Sequence, residues 1–356
     1  MKLLRVVDLE DALHVKFRDL KNIMKWFRRL KFLSLRGRSE IYDLPSSVGD
    51  LRQLQSVDVR GTSIVTLHVS ITKLEKLQYI RAGNTHPPTG EAPTLSVLSR
   101  LSHYCRGRRY LVGIEMPPGI GKLTQLHTLG VVNVSSSGTK TFLEGLKMLT
   151  QLHKLGVSGI NKSNRNKFWA AISVLAHLES LSVQFDMNGQ GCLDGITLPP
   201  NSVRSLKLYG LGEDQVRKLP TPAVSKITKM DLQMAKLTEE DVQTLRQLTR
   251  LCILSLCFQE LGQDELKFIT TTNGYEVKSY EKLKVLKIAC SRSSGLLPIT
   301  FGGKTMKELE QLKVDWSSGS SGRFSGIENL PDLKEVLVNG SAVEISEINQ
   351  SGDQAS

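Results

Sequence analysis

The chain has 356 residues, of which 40% are hydrophobic and 6% aromatic, and its formal net charge is +12. It contains no apolar run of about 18 residues, which excludes a membrane-spanning helix. Lysines and arginines are spread along the whole chain without a block of five like charges, so the basic balance argues against a nucleic-acid-binding protein.

The first residues and the cysteines both favour a cytoplasmic protein. Arg5 and Asp8 interrupt the first apolar stretch, so no cleavable signal peptide is predicted. The five cysteines are scattered, odd in number and without the spacing of metal ligands. Reduced, mostly structural thiols are the simplest interpretation.

The predicted strands, taken in chain order, come from one repeated hexamer. The pattern L-x-x-L-x-L, with Val, Ile, Met or Ala allowed at the later positions, occurs thirteen times. Its first residues are Leu4, Leu30, Leu54, Leu77, Leu126, Leu152, Leu178, Val203, Ile227, Leu251, Leu283, Leu309 and Leu333. Ten of the twelve intervals are 23 to 26 residues long, which is the period of leucine-rich repeats. The interval from Leu77 to Leu126 is 49 residues, or two repeats, and contains either a degenerate copy or an insertion.

The alternation within each hexamer predicts a β-strand. In LKFLSL, Leu33 and Leu35 would face the core while Ser34, between them, faces outward. One such turn cannot bury its leucines alone, but stacked neighbours can. We therefore predict an α/β fold, a leucine-rich-repeat solenoid curved like a horseshoe, with a parallel inner sheet and a helical or irregular convex side. This domain, of about 13–14 repeats, would cover residues 1–347.

Helical spacing and loop signals separate the predicted strands. FWAAISVLAHL and TEEDVQTLRQL carry apolar residues at helical intervals, and Thr238 and Asp241 have the spacing of a capping box. The repeat rhythm is broken by an irregular insertion near 84–113 and by a lengthened repeat at 258–280. The Gly/Ser-rich segment 315–326 is expected to be a flexible loop, and residues 348–356 a disordered tail.

Several segments carry a resemblance to a known family. LPSSVGDLRQLQSVDVRGTSI and MPPGIGKLTQLHTLGVVNV resemble the leucine-rich-repeat region of plant intracellular nucleotide-binding disease resistance proteins. Stretches similar to LTQLHKLGVSGIN, LESLSV, GCLDGI and SLKLYG occur in the cereal members. The turn pattern is L-P-x-x-[IV]-G-x-L, whereas secreted plant receptors have G-x-I-P. The likeness covers roughly residues 4–340.

The resemblance implies a cytoplasmic protein-interaction module for pathogen effector recognition and autoinhibition in the defence response. Its implied partners are a pathogen effector, a host guardee, or the coiled-coil and nucleotide-binding domains of the receptor. The chain itself has no P-loop, because Leu123 follows Gly121 and Lys122 where a Ser or Thr would hold magnesium. The alternative is a stand-alone repeat scaffold or decoy without signalling activity.

The predicted partner-binding residues lie on the outward-facing positions of the strands. Arg and Tyr on a rigid surface are favoured anchors for protein partners, and the surplus of cations over carboxylates predicts an acidic partner. Alternatively, these cations only keep a long sheet soluble. The set is Phe32, Arg36, Arg60, Tyr79, Arg81, His127, His153, Lys154, Lys207, Tyr209, Lys229, Lys284 and Lys287.

A metal site and catalysis receive less support from the sequence. His127, His153 and Glu179 occupy one column in three consecutive repeats, on strands about 4.8 Å apart, and such groups can ligate a metal. We favour the alternative, in which the histidines lie on a solvated strand face and Glu179 pairs with Arg204. No Ser/His/Asp, Cys/His or paired-carboxylate spacing indicates catalysis, so we predict neither an enzyme nor a cofactor.

Overall fold

The structure, a computed structural model, describes most of the chain. The described residues are 3–10, 12, 14–83, 112–135, 138–186, 191–199, 202–219, 224–269, 271–272, 275–276, 280–290, 296–303, 305–316, 321–339 and 342–346. They form two compact units, of which the first ends at Gly210 and the second continues from Leu211. The predicted tail and nearly all of the predicted insertion lie outside the described residues.

Over the described residues, the first unit contains eight parallel strands that pair in chain order. They are β1 (Val6–Asp8), β2 (Phe32–Ser34), β3 (Ser56–Asp58), β4 (Tyr79–Arg81), β5 (Thr128–Asn133), β6 (Lys154–Ile160), β7 (Ser180–Phe185) and β8 (Ser205–Leu211). Equivalent repeat positions stand opposite one another, as in the pairing of Phe32 with Ser56 and of Leu33 with Val57. Their buried leucines therefore stack into continuous columns.

The second unit contains eleven strands, counted over the described residues. They are β9 (Lys229–Leu237), β10 (Ile253–Leu261), β11 (Leu266–Phe268), β12 (Thr271–Thr272), β13 (Tyr275–Glu276), β14 (Val285–Cys290), β15 (Leu296–Phe301), β16 (Gln311–Trp316), β17 (Ser321–Ser325), β18 (Glu335–Asn339) and β19 (Ala342–Ser346). β9, β10, β14, β16 and β18 pair in parallel and continue the repeat pattern.

Every predicted hexamer gives a strand. In all thirteen repeats the strand begins two residues after the first hexamer residue, as in β6, which begins at Lys154 after Leu152. The first hexamer residues are buried in nearly all repeats, although Leu4 is 41% exposed. β4 pairs directly with β5 in the sheet, although their hexamers begin two repeats apart at Leu77 and Leu126. Along each strand, buried side chains alternate with side chains on the opposite face of the sheet. We call that opposite face the inner face.

Helices and short 3-10 helices connect the repeat strands. Among the described residues, the α-helices are Phe17–Trp26, Thr139–Leu146, Arg165–Ile172 and Glu239–Arg246, and the 3-10 helices are Ser46–Asp50, Val69–Lys73, Ile120–Lys122, Val216–Lys218 and Ile327–Asn329. The predicted capping box forms: Asp241 N donates to Thr238 Oγ1 at 3.3 Å, and Thr238 N donates to Asp241 Oδ2 at 3.0 Å. These bonds satisfy amides that the helix leaves without a partner at its start.

In the second unit, connecting segments between the repeat strands form a second sheet, in addition to the predicted helices. β11, β15, β17 and β19 form a separate four-stranded parallel sheet. The prediction of a flexible loop over 315–326 is therefore wrong for β17, whose residues pair on both sides. Trp316 is 3% exposed and packs 5.8 Å from Phe324 of β17. Aromatic burial thus offsets the weak strand propensity of the Gly/Ser-rich sequence.

Candidate protein-binding face

The thirteen predicted partner-binding residues occupy four positions of the repeat. His127, His153 and Lys284 stand just before a strand; Phe32, Tyr79, Lys154 and Lys229 are first strand residues; and Arg81, Lys207 and Lys287 are third. Arg36, Arg60 and Tyr209 stand at the fifth position counted from the strand start, which for Arg36 and Arg60 lies two residues past the end of β2 and β3. Most are half-buried or exposed. Tyr209 differs, because it is only 3% exposed and its ring offers little surface to a partner. The structure thus distributes this set over both units.

Two of the predicted cations have carboxylate partners inside the first unit. Arg36 Nη1 lies 3.1 Å from Glu10 Oε1. Arg60 donates to Asp58 through Nε at 2.9 Å and Nη2 at 2.5 Å, and the Asp58 side chain is only 4% exposed. The hydrogen bond with Asp58 raises the pKa of the Arg60 guanidinium above its ordinary value. The surplus of positive charge predicted from the sequence is therefore partly neutralised here.

A continuous row of four rings runs along the start of β4, β5, β6 and β7 in the first unit. The ring centroids of Tyr79 and His127 are 6.0 Å apart and those of His127 and His153 are 5.3 Å apart, both in edge-to-face contact. His177 continues the row with its ring stacked 5.9 Å from that of His153. We call Tyr79, His127, His153 and His177 the ring row. Three members are half-buried and His177 is exposed.

His177 is a functional candidate that the sequence reasoning missed. It lies three residues before β7, whereas His127 and His153 lie one residue before their strands. A search of equivalent repeat positions therefore selects Glu179 as the next residue in the column. The only sequence signal was a third histidine near the end of the preceding turn, which does not reveal a ring contact.

The metal hypothesis finds no matching ligand set in the described part of the chain. No group of three His, Cys, Asp or Glu side chains there is placed to hold a metal ion. Glu179 makes no ion pair with Arg204 within the described residues either, although the Arg204 backbone amide donates to the Glu179 carbonyl at 2.9 Å. His153 is oriented by a contact of 2.7 Å between its Nδ1 and the carbonyl of Gln151. This contact requires hydrogen on Nδ1, since a carbonyl only accepts.

Two exposed cations accompany the ring row. Arg81 lies on β4 two residues after Tyr79, and Lys154 begins β6 directly after His153. Within the described part of the chain, neither side chain has a hydrogen bond or an ion pair. These two positive charges therefore remain available to a partner, unlike those of Arg36 and Arg60.

A β-bulge shapes the sheet beside these residues. The register of β5 against β6 shifts between Leu129 and Val131, so that Val131 stands opposite Gly156. A Cβ on Gly130 would lie 2.3 Å from Ala82 N, so only glycine fits this approach. Bulges redirect side chains and recur near binding sites, which is consistent with a special role for this part of the face.

In the second unit, Glu310 stands between two lysines of the neighbouring repeats, each at the position just before a strand. Glu310 lies 3.5 Å from Lys284 and 3.1 Å from Lys334. The hydrogen bond from Lys334, followed by the charges of both lysines, lowers the pKa of Glu310. Lys287 stands opposite Lys313 on the neighbouring strand. Because Lys284 has a carboxylate partner, the charge of one of the three predicted cations of the second unit is already compensated.

Cys257 is disulfide-bonded, so the prediction of reduced thiols is wrong for this residue, and the described free thiols differ in burial. Cys192 is a buried free thiol, and desolvation by burial raises its pKa, whereas Cys252 is a half-buried free thiol. A thiol with a raised pKa is a weak nucleophile. Within the described residues, no helix combines the length and apolar character needed to cross a bilayer.

A family model matches nearly the whole chain. The family model "Leucine-rich repeat region" matches residues 1–114 and 108–351. Disease resistance proteins Pik-2 and Piks-2 of Oryza sativa subsp. japonica are each 35% identical over 88 residues, which is 25% of this chain. The match spans only 8% of the length of those relatives.

Two solved structures also align over most of the chain at low identity. An internalin (InlF) from Listeria monocytogenes is 16% identical, with 94% of this chain and 85% of that chain covered and a TM-score of 0.49. A leucine-rich-repeat protein from Leptospira interrogans is also 16% identical, with 97% and 90% covered and a TM-score of 0.34.

Proposed function

Since the chain belongs to the leucine-rich-repeat region family, we propose that it is the protein-recognition module of a plant intracellular disease resistance receptor. Its inner face binds a pathogen effector, a host guardee, or the coiled-coil and nucleotide-binding domains of the receptor. Through these contacts it recognises the effector, and it restrains the receptor until the effector is bound. The module works in the cytoplasm, without catalysis or cofactor.

One observation carries this proposal: the inner face of the first unit has exposed positive charges that no carboxylate of the described residues neutralises. The ring row lies beside Arg81 and Lys154, which have no carboxylate partner in the described part of the chain. Tyr79 and Arg81 are of the residue types that are enriched among the side chains contributing most to binding energy in protein interfaces. The match to rice disease resistance proteins supports the setting in plant defence.

The test is co-purification of this chain with the coiled-coil and nucleotide-binding segments of a cereal receptor. The informative variant is Arg81→Glu with Lys154→Glu, because these cations have no internal partner to lose. Reversing Arg36 or Arg60 would instead break the ion pairs with Glu10 and Asp58. The matched control is Lys73→Glu with Lys122→Glu, which makes the same charge change on two exposed lysines of 3-10 helices.

We expect retention that weakens as salt is raised, because screening reduces attraction between exposed charges. The inner-face variant should lose most of the retention and the control variant should keep it. Retention unaffected by both salt and the inner-face variant would contradict the acidic-partner surface. A chain that stays soluble and retains no receptor segment would favour the stand-alone scaffold or decoy.

A further inference from the structure

We propose that the outward side of the helix Phe17–Trp26, with the residues that follow it, docks on an anionic phospholipid membrane surface. The cations of this segment attract the lipid head groups, and the Trp26 ring enters the boundary between head groups and acyl chains. This inference goes beyond the proposed function, because it concerns a helix that connects β1 to β2 and not the inner face.

Positive charge is concentrated in this connecting segment. Residues 16–31 contain seven cations and one carboxylate. The equivalent stretches of the next two repeats, 40–55 and 63–78, contain one cation with three carboxylates and two cations with one carboxylate. A need for solubility would act on every repeat alike, so the excess in this repeat indicates a specific role. The cations are Lys16, Arg18, Lys21, Lys25, Arg28, Arg29 and Lys31, all exposed except the half-buried Lys31.

None of these seven side chains forms an ion pair with a carboxylate of the described residues. Asp19 Oδ2 instead accepts a hydrogen bond from the Lys16 backbone amide at 2.9 Å, at the start of the helix. Lys21 Nζ lies 4.9 Å from the ring centroid of Phe17, and Lys25 Nζ lies 5.6 Å from that of Trp26. Two of the cations therefore have aromatic rings as neighbours, and the net charge of the surface is open to an anionic partner.

The helix presents its cations and its tryptophan on one side. Leu20 and Met24 are four residues apart and both buried, so they fix the side that packs against the repeat. Residues at 18, 21, 25 and 26 have the spacing of three, seven and eight residues that defines one helix face, and all are exposed. We call this outward side the basic helix face, with the members Arg18, Lys21, Lys25 and Trp26.

The tryptophan favours a membrane over an acidic protein as the partner. Trp26 is 64% exposed, whereas Trp169 and Trp316 are 1% and 3% exposed. Tryptophan is enriched where membrane meets water, because its ring is apolar and its Nε1–H donates to a polar neighbour. An acidic protein would have to supply a packed pocket for this ring, whereas the boundary of a fluid bilayer accommodates it without a matching shape. Clusters of about 4–8 cations on such a helix are typical of binding to anionic lipids.

The test uses the full chain with vesicles of phosphatidylcholine alone and of phosphatidylcholine with about one quarter phosphatidylserine. Binding is measured by flotation, and the position of Trp26 by acrylamide quenching of tryptophan fluorescence. Because Trp169 and Trp316 are buried, the quenching reports on Trp26. Soluble polyglutamate and a DNA duplex are the probes for an acidic protein and for nucleic acid.

Two matched triple variants separate the basic helix face from net charge. The first removes the three cations of this face, as Arg18→Gln with Lys21→Gln and Lys25→Gln. Glutamine favours helices about as well as lysine and arginine do, so the helix is preserved, which far-UV circular dichroism checks. The control removes three exposed lysines from other helices of the first unit, as Lys73→Gln with Lys122→Gln and Lys140→Gln.

We expect binding to the phosphatidylserine vesicles only, weakened by salt, with Trp26 protected from acrylamide in the bound state. The variant of the basic helix face should bind at least about tenfold more weakly, since each cation near an anionic membrane strengthens binding about fivefold. Trp26→Gln should bind several-fold more weakly although it leaves the charge unchanged. The control variant should bind as the unchanged chain does.

Equal binding to both kinds of vesicle, equal losses in the two triple variants, or a bound Trp26 that acrylamide still quenches would overturn the proposal. Protection of Trp26 by polyglutamate or DNA without vesicle binding would assign the face to an acidic protein or to nucleic acid instead. The variant of the basic helix face should still retain the receptor segments, and Arg81→Glu with Lys154→Glu should still bind vesicles. Vesicle binding without retention of receptor segments would therefore reject the proposed function alone, and the converse would reject this inference alone.

Discussion

Two leucines at the same repeat position should differ sharply in their contribution to stability. Leu152 and Leu4 are both first residues of a hexamer, but Leu152 is fully buried and Leu4 is 41% exposed. Leu152→Ala removes contacts inside a closed stack and leaves a cavity, so we expect a loss of about 3–5 kcal/mol in the free energy of unfolding. Leu4→Ala leaves no closed cavity and should cost about 1 kcal/mol, from the buried part of the side chain alone.

The measurement is urea unfolding followed by far-UV circular dichroism, together with hydrogen exchange of the β6 amides. Because repeat proteins are stabilised by contacts between neighbours, Leu152→Ala should speed exchange in β5, β6 and β7. Leu4→Ala should affect β1 and β2 only. Similar free-energy losses in the two variants, or unchanged exchange in β6 with Leu152→Ala, would refute the assignment of the stacked core.

Three further outcomes are expected. Thr238→Ala should lower the free energy of unfolding by about 1 kcal/mol, because it removes the helix cap, and Thr238→Ser should restore most of it in the same urea assay. Lys334→Ala should raise the pKa of Glu310 toward its ordinary value in a carboxyl NMR titration. The stability from this contact is present above the unfolded-state pKa of Glu310, and it is lost as pH falls through the lowered folded-state pKa. Cys192 should react with a thiol reagent far more slowly than Cys252 in the native protein, and equal rates would contradict its burial.

The sequence by itself determined the repeat architecture. A strand requires local alternation of apolar and polar residues, and that alternation is visible in every hexamer, so all thirteen strand starts followed from it. The capping box of Thr238 and Asp241 was also predictable, because both of its hydrogen bonds join residues three apart in the chain. Features that depend on a few neighbouring residues were thus determined locally.

The tertiary structure alone decided which side chains meet between repeats. Glu10 pairs with Arg36 of the following repeat, at positions that the strand alternation does not rank. His177 joins the ring row from a turn, because the path of that turn brings a residue outside the repeat column against His153. The second sheet forms because the connecting segments of the last repeats pair with one another. Strand periodicity fixes the face a residue occupies, but ring contacts, ion pairs and added strands depend on how neighbouring repeats stack and how their turns run.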